Sequence, residues 1–440
     1  MADSGTRAAT PASTMPTSTR THPMRAGLTH VKEGGMHHGA YILTVVAVCA
    51  CGDAAQITPP SGTESAELSA WHDRGRLRVY DVEKLPTLGG RANRGNSIND
   101  RGWVAGYVSL PDNSARHAAL WRDGSLTDLG TLGGPNSSVA WPGQNDRGTV
   151  VGIAETADID PLHEDWSCSG FLPAAIHHVC LGFVYEGGGM RPLPTFPGGV
   201  NGFATGVNDR GNIVGWAEND VHDPTCKGNQ IRQFRAALWD ARTRAIHQLP
   251  PLRGDSTSAA TAINARGQVV GISGECDVAI GEFSAQHAVL WEDGHPTLIR
   301  TLGGIAWNTP MDINDAGDVV GFANLGNDVD GAYNPHAFFW TRRGGPRDLG
   351  ALPGDTNSTA MGINSERQIA GQSCGAVVCR AVIWEHGRIY NLNGLMAAGF
   401  TDSLVSAQDI NEEGAITGRL VEAGTGRLLA FVATPRRERH

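Results

Sequence analysis

Short apolar runs separated by Gly, Asn and Asp recur along residues 76–434, and they recur in a fixed order. The fixed point of each unit is an Asn-centred turn: Ile98-Asn99-Asp100-Arg101-Gly102, Gln144-Asn145-Asp146-Arg147-Gly148, Val207-Asn208-Asp209-Arg210-Gly211 and Ile263-Asn264-Ala265-Arg266-Gly267. It continues as Ile313-Asn314-Asp315-Ala316-Gly317, Ile363-Asn364-Ser365-Glu366-Arg367 and Ile410-Asn411-Glu412-Glu413-Gly414. The asparagines step by 46, 63, 56, 50, 50 and 47 residues. Self-similarity at such a period marks an architecture of repeated supersecondary units.

Each unit predicts four strands. The first precedes the Asn and is rich in small residues, as in Ser258-Ala259-Ala260-Thr261-Ala262-Ile263; the second follows the turn, as in Gln268-Val269-Val270-Gly271. Between them Asn or Asp bonds the local backbone and Gly supplies a positive φ, which is hairpin chemistry. The third is an apolar run ending in an aromatic: His117 to Trp121, Leu181 to Tyr185, Arg235 to Trp239, His287 to Trp291, His336 to Trp340 and Arg380 to Trp384. The seventh copy, Leu429 to Ala433, has no Trp. This strand is apolar on both faces, with Ala118 and Leu120 on one and Ala119 and Trp121 on the other, so it belongs between packed sheets. The fourth is Leu126 to Leu132 and its relatives near Leu193, Leu249, Leu298, Leu349 and Leu392, often followed by Gly-Gly.

An extra fourth-type strand, Leu77 to Val82, precedes the first unit, whereas Pro435 and a charged tail (435–440) follow the seventh. Pairing the orphan strand with the incomplete last unit closes a circle and removes its open edges. The sequence therefore predicts an all-β, seven-bladed β-propeller of four-stranded blades over residues 76–434. An N-terminal strand completes the last blade, with Tyr80 and its neighbours beside Phe431 and its neighbours. An open solenoid, which would not require that pairing, and an eight-bladed ring are the rival arrangements.

Composition agrees with many short strands and tight turns: Gly contributes 58 of 440 residues and only 18% are charged. The formal net charge is -10, made of +2 in residues 1–50 and -12 in the remainder. An acidic body with no basic aromatic patch does not suit nucleic acid, because phosphate contacts need clustered Lys and Arg. The apolar run Ala40 to Ala50 is shorter than the ~20 residues that span a bilayer. It fits the h-region of a secretory signal, with Arg25 and Lys32 upstream. Its end, Val48-Cys49-Ala50-Cys51-Gly52, resembles a bacterial lipobox with Cys51 as the acylated residue; ordinary signal peptidase cleavage is the rival. The Ser-, Thr- and Pro-rich stretch 1–23 makes translation from Met24 or Met36 the expectation. Residues 1–51 are thus assigned to an extension and lipoprotein signal, and 52–75 to a polar linker.

Residues repeated in nearly every unit are architectural. His117, His287 and His336 give way to Arg235 and Arg380 elsewhere, and in separate blades they cannot converge on one ion. Departures from the repeat are more informative. Units two to five carry insertions between their second and third strands, Glu155 to Val179, Glu218 to Gln233, Gly274 to Gln286 and Asn324 to Pro335. These emerge on one face, which becomes the candidate ligand face. Its candidate contacts are Asp158, Asp160, His163, Glu164, Asp165, Asp220, His222 and Asp223. Asn327-Asp328-Val329-Asp330-Gly331 has part of a calcium loop, but the first ligand position falls on Gly326 and no spaced Glu follows, so a solvated loop and no metal are expected. No Ser-His-Asp motif, phosphate loop or dinucleotide fingerprint occurs, so no catalytic residue and no cofactor is assigned.

Of 8 Cys, Cys49 and Cys51 belong to the signal. The remaining six are expected to pair as Cys168–Cys180 within one loop, Cys374–Cys379 flanking a hairpin, and Cys226–Cys276 at equivalent points of adjacent units. A zinc site is the rival, although no Cys-x-x-Cys occurs among the six. Disulfides imply an oxidising compartment.

Asp128-Leu129-Gly130-Thr131-Leu132-Gly133-Gly134, followed by Asn-Asp-x-Gly-x-Val-Val-Gly and His-Ala-x-x-Trp, resembles the HAF-repeat family of extracellular bacterial repeat proteins. The family takes its name from a His-Ala-Phe that stands here as His336-Ala337-Phe338. The likeness covers roughly residues 76–434, although unit one is shortened before Asn99 and unit two has Gln144 where an aliphatic residue is usual. It implies a bacterial, exported protein and no particular reaction. The expected function is that of an exported, lipid-anchored, monomeric, non-catalytic binding propeller whose partner is an extracellular glycan or protein. The alternative is a secreted polysaccharide hydrolase or lyase that draws acid and base from the inserted loops, with His163 or His222 contributing.

Overall fold

A computed structural model describes residues 78–164, 166–173, 177–277 and 281–436. The signal, the linker, Cys51, Asp165 and residues 437–440 of the tail lie outside the described residues. The described chain forms seven four-stranded antiparallel sheets set in a ring, the β-propeller that the repeat predicts. Blade 1 runs from axis to rim as Asn93–Ile98, Val104–Ser109, Arg116–Arg122 and Ser125–Asp128. Blades 2 to 6 repeat that order.

Blade 7 is built from both ends of the ring. Ser403–Ile410, Ile416–Val421 and Leu428–Pro435 supply its first three strands, and Tyr80–Lys84 supplies the outer one. Closure occurs as predicted, but in a different register. Lys84 stands opposite Phe431, Tyr80 stands opposite Pro435, and the strand runs on past Val82. The reason is Tyr80 itself. It is 1% exposed and packs with Leu392, Leu395 and Phe431 between blades 6 and 7. Its carbonyl accepts the Ala397 N–H at 2.9 Å, which holds it at the start of the strand.

The third strands are buried on both faces, as their composition requires. In blade 1, Ala118 and Leu120 join Val139, Val150 and Phe183 of blade 2, whereas Ala119 and Trp121 join Ala415 and Ala430 of blade 7. The tryptophans also act as pins. The indole N–H groups of Trp121, Trp239 and Trp291 donate to the carbonyls of Pro86, Pro194 and Pro250 at 2.7–2.8 Å. Each carbonyl lies just after the outer strand of the preceding blade, so apolar burial and a satisfied polar tip fix adjacent blades together.

A bulge in the inner strand explains the Gly that ends each Val-Val-Gly. In blade 3 the register shifts between Ala204 and Gly206. A Cβ at Gly215 would sit 1.9 Å from the Phe203 carbonyl oxygen, and the equivalent Gly106, Gly271, Gly321 and Gly418 face inner-strand carbonyls at 1.9–2.1 Å. Only Gly allows backbones to approach so closely.

The Asn of each turn has two tasks. Its Oδ1 accepts local N–H groups, as Asn99 does from Arg101 at 3.1 Å and Trp103 at 3.0 Å. Its Nδ2 reaches the neighbouring blade. Asn99 donates to the carbonyl of Asn145, and the pattern runs on through Asn208, Asn264, Asn314, Asn364 and Asn411 at 3.0–3.1 Å. Asn411 then donates to Asn99 and closes the belt.

Candidate functional site

The insertions are tied to one another at one end of the ring. Cys226–Cys276 joins the insertions of blades 3 and 4, while Cys168–Cys180 and Cys374–Cys379 close local loops, so the three expected pairs all form. Glu164, from the blade 2 insertion, accepts the N–H groups of Ile231 and Arg232 in blade 3 at 2.7 and 2.5 Å. The insertion of blade 2 adds a short helix, Trp166–Phe171.

On the axis at that end lies a cavity of about 110 Å³. Every blade contributes to its wall: Arg94, Trp141, Trp216, Thr261, Thr309, Thr359 and Gln408 come from blades 1 to 7 in order. Phe171, Gly281 and Tyr333 reach it from the insertions of blades 2, 4 and 5. Trp141 meets Phe171, Phe203 and Trp216 edge-on, with centroids 5.0, 5.5 and 6.0 Å away. Across the mouth, Trp307 meets Tyr333 at 5.0 Å and donates its indole N–H to the Gly331 carbonyl at 2.7 Å. The Trp141 indole N–H is buried without a partner, a polar handle in an apolar wall. Benzene fits an apolar cavity of ~150 Å³, so this one has the scale of a single ring.

Trp141, Phe171, Trp307 and Tyr333 stand outside the candidates drawn from the sequence. Their signal is departure from the repeat. Trp141-Pro142-Gly143-Gln144 replaces the small and aliphatic residues that usually lead into the Asn, and Phe171 and Tyr333 sit in insertions.

The acidic candidates do not converge on this cavity. Asp160 and Glu164 are fully buried and meet Glu218, which is equally buried and was not among the candidates. Their oxygens lie within 4.8 Å of one another, close enough to share a cation. Most of their lone pairs already have donors. Asp160 accepts Leu162 N–H at 2.7 Å and the Asn201 amide at 2.8 Å; Glu218 accepts Asn201 N–H at 2.9 Å and the Gln230 amide at 3.2 Å. The trio is a lock between blades 2 and 3. Burial, and then the charge of Glu218, push the Glu164 carboxyl up to about 7, so it keeps its proton close to neutrality. Glu218 could have been found by alignment of the units, because Glu155 holds the equivalent place in blade 2 and accepts the Asn136 N–H at 3.0 Å.

The other candidates scatter. Asp223 is buried but accepts the N–H and hydroxyl of Thr225, which holds its own turn. Asp158, His163, Asp220 and His222 are exposed. The repeated histidines behave as architecture. His117 meets Asp128 and His287 meets Asp255, both at 2.9 Å, and His336 meets Asp348 at 3.0 Å. Arg380 takes the same role with Asp355 at 2.6 Å. Hydrogen bonding to the partner carboxylate raises His117 and His287 above the usual imidazole range.

Fold and site together define a closed seven-bladed propeller with one elaborated face and an aromatic-walled axial cavity. No protein-family model and no curated protein matches the chain. Among solved structures, it is similar to the β-propeller domain of the Trilobed protease from Pyrococcus furiosus, at 8% identity and TM-score 0.46, over 79% of this chain and 95% of that one. It is also similar to Porphyromonas gingivalis dipeptidyl peptidase 4 (10%, TM-score 0.41, 86% and 60% covered). A third likeness is to Trypanosoma rangeli sialidase in complex with the inhibitor DANA (10%, TM-score 0.35, 82% and 56% covered). The chain thus spans little more than half the length of the last two. The fold assignment rests on the strand pairing itself.

Proposed function

We propose that this chain is an exported binding propeller that takes an extracellular ligand, a glycan or a protein segment, at the axial cavity of its inserted-loop face. The cavity carries the proposal: a concave, mostly apolar wall that includes aromatic rings and a few polar groups is the usual form of a ligand site. Its described lining contains no carboxylate, imidazole or thiol. That favours binding over the alternative of a polysaccharide hydrolase or lyase, whose acid and base must touch the substrate. The disulfides, the lipobox at Cys51 and the resemblance to HAF-repeat proteins support export and anchoring at the bacterial cell envelope.

The test uses the full chain and its Trp141→Ala and Phe171→Ala variants on glycan and peptide arrays. Retention of a ligand by the wild type, lost in both variants while their melting remains cooperative, supports the proposal. Release of reducing ends from a retained polysaccharide would replace it with the hydrolytic alternative.

A further inference from the structure

Three arginines crowd one tyrosine where blades 7 and 1 meet near the axis. Arg94 and Arg419 are 9% and 3% exposed. The guanidinium carbons of Arg94, Arg116 and Arg419 lie 5.4, 3.9 and 5.8 Å from the centroid of the Tyr107 ring. The cluster adjoins the axial cavity. Arg94 is part of its wall, and Arg116 donates from Nη1 to the carbonyl of Phe171, another wall residue, at 3.0 Å.

Among the described residues no carboxylate forms an ion pair with any of the three. Arg94 donates from Nε to the Asn96 side-chain oxygen at 3.0 Å, and Arg419 donates from Nη2 to the Tyr107 hydroxyl, so neither partner is a carboxylate. Stacking on the ring orients the guanidinium groups but leaves them cationic. Arginine does not shed its proton in proteins. Nε of Arg116 and both Nε and Nη1 of Arg419 are buried with no partner. Buried charges are normally paired, and a buried donor without an acceptor is costly. The arrangement is therefore one partner short, and the missing partner is an anion with several acceptor oxygens.

We propose that Arg94, Arg116 and Arg419 form the anionic subsite of the axial cavity, which takes the carboxylate of a ligand whose aromatic ring fills the cavity. This rests on the cavity being the ligand site. The guanidinium fork matches a carboxylate in shape and charge, and a low-dielectric wall strengthens the pairing. A free aromatic acid and the C-terminal aromatic residue of a peptide share this chemistry.

Calorimetric titration of the full chain with phenylacetate, phenylacetamide and N-acetylphenylalanine tests the proposal. The wild type is expected to bind phenylacetate at least tenfold more tightly than its neutral amide, with inorganic sulfate competing. Arg419→Met is expected to abolish that preference without lowering the melting temperature, because it removes an uncompensated charge; a merely structural arginine would lower it. Arg94→Gln, at the cavity wall, should reduce the preference independently. Tighter binding of N-acetylphenylalanine than of phenylacetate assigns the subsite to a peptide C-terminus, and the reverse assigns it to a free acid. Equal binding of phenylacetate and phenylacetamide would overturn the anionic subsite and leave the cavity proposal standing. Failure of all three probes, with the protein folded, would overturn the aromatic-acid subsite and leave the cavity proposal to the glycan and peptide arrays.

Discussion

The side-chain amide of Asn411 donates to the main-chain carbonyl of Asn99 at 2.9 Å across 312 residues of sequence. The same bond joins every other pair of neighbouring blades, so the non-covalent seam is held as the covalent junctions are. Asn411→Ala strips the Asn99 carbonyl of this donor and the Ala415 N–H of its 2.8 Å acceptor. An unsatisfied buried group costs about 1–3 kcal/mol. Urea denaturation should show a loss of that order, and a similar loss for Asn208→Ala at a covalent junction. A neutral Asn411→Ala would mean that the belt contributes nothing to closure.

Removal of residues 1–84 deletes the outer strand of blade 7 and bares the edge of Leu428–Pro435. Unpaired edges recruit other chains. The truncated protein should elute as dimers or larger species in gel filtration, and a peptide spanning residues 76–88 should return it to monomer. A truncated protein that stays monomeric and melts like the full chain would contradict the closure described above.

Stability should fall as pH rises from about 5 to 8. The folded state holds the Glu164 proton up to about 7, against 4.5 for an ordinary glutamate, so it binds more protons than the unfolded chain within that window. Stability therefore declines as pH climbs through it. Burial raises Asp312 to about 6, and burial followed by the charge of Asp312 holds Asp409 well above the usual carboxylate range, with the same sign. His117 and His287 are raised by Asp128 and Asp255, so their contribution is complete below ~6.5 and is lost as pH passes their folded values. Glu164→Gln keeps an acceptor for Ile231 and Arg232 and cannot ionise. It should melt above the wild type at pH 8 and lose that advantage near pH 4.5. A wild-type melting temperature that climbs steadily from pH 5 to 8 would refute this account.

Gly215→Ala places a Cβ 1.9 Å from a backbone oxygen, whereas Gly102, at φ +75, has open space around it. The first should cost more than about 3 kcal/mol or prevent folding, by overpacking and backbone shift. The second should cost only about 1 kcal/mol, the penalty of a left-handed residue without a clash. Paired denaturation curves would decide, and equal effects at both sites would remove the bulge explanation of the Val-Val-Gly signature.

The ring was legible because its signals are local and repeated. Alternation, hairpin chemistry at Asn-Asp-x-Gly and two-sided apolar third strands each recur, and the orphan strand before Asn99 announced the closure. Its register was not legible, because Tyr80 is placed by Leu392 and Leu395 of another blade. The second task of the asparagines was hidden for a like reason: a side chain that caps its own turn shows nothing in sequence of the carbonyl it reaches next door. The site was harder still. Acidic insertions drew attention, yet buried carboxylates must find donors: Asp160 found them in its own loop and in Asn201 of the next blade, and Glu164 in the neighbouring insertion. Arg94 and Arg419 are separated by almost the whole propeller and look like ordinary repeat positions until the ring brings them to one tyrosine.

The seam also bears on what sequence order means in this molecule. The Arg436 N–H donates to the Val79 carbonyl at 2.8 Å, so the two ends of the described ring leave it side by side. Since Tyr80 already faces Pro435, a short turn could join them and complete a hairpin. The chain could then be opened at the exposed turn around Asp123 and Gly124. Such a circular permutant would keep every blade, the belt and the axial cavity, with blade 1 now completed by a detached strand. The point at which the polypeptide enters the circle is a property of its connectivity, and the packing is indifferent to it.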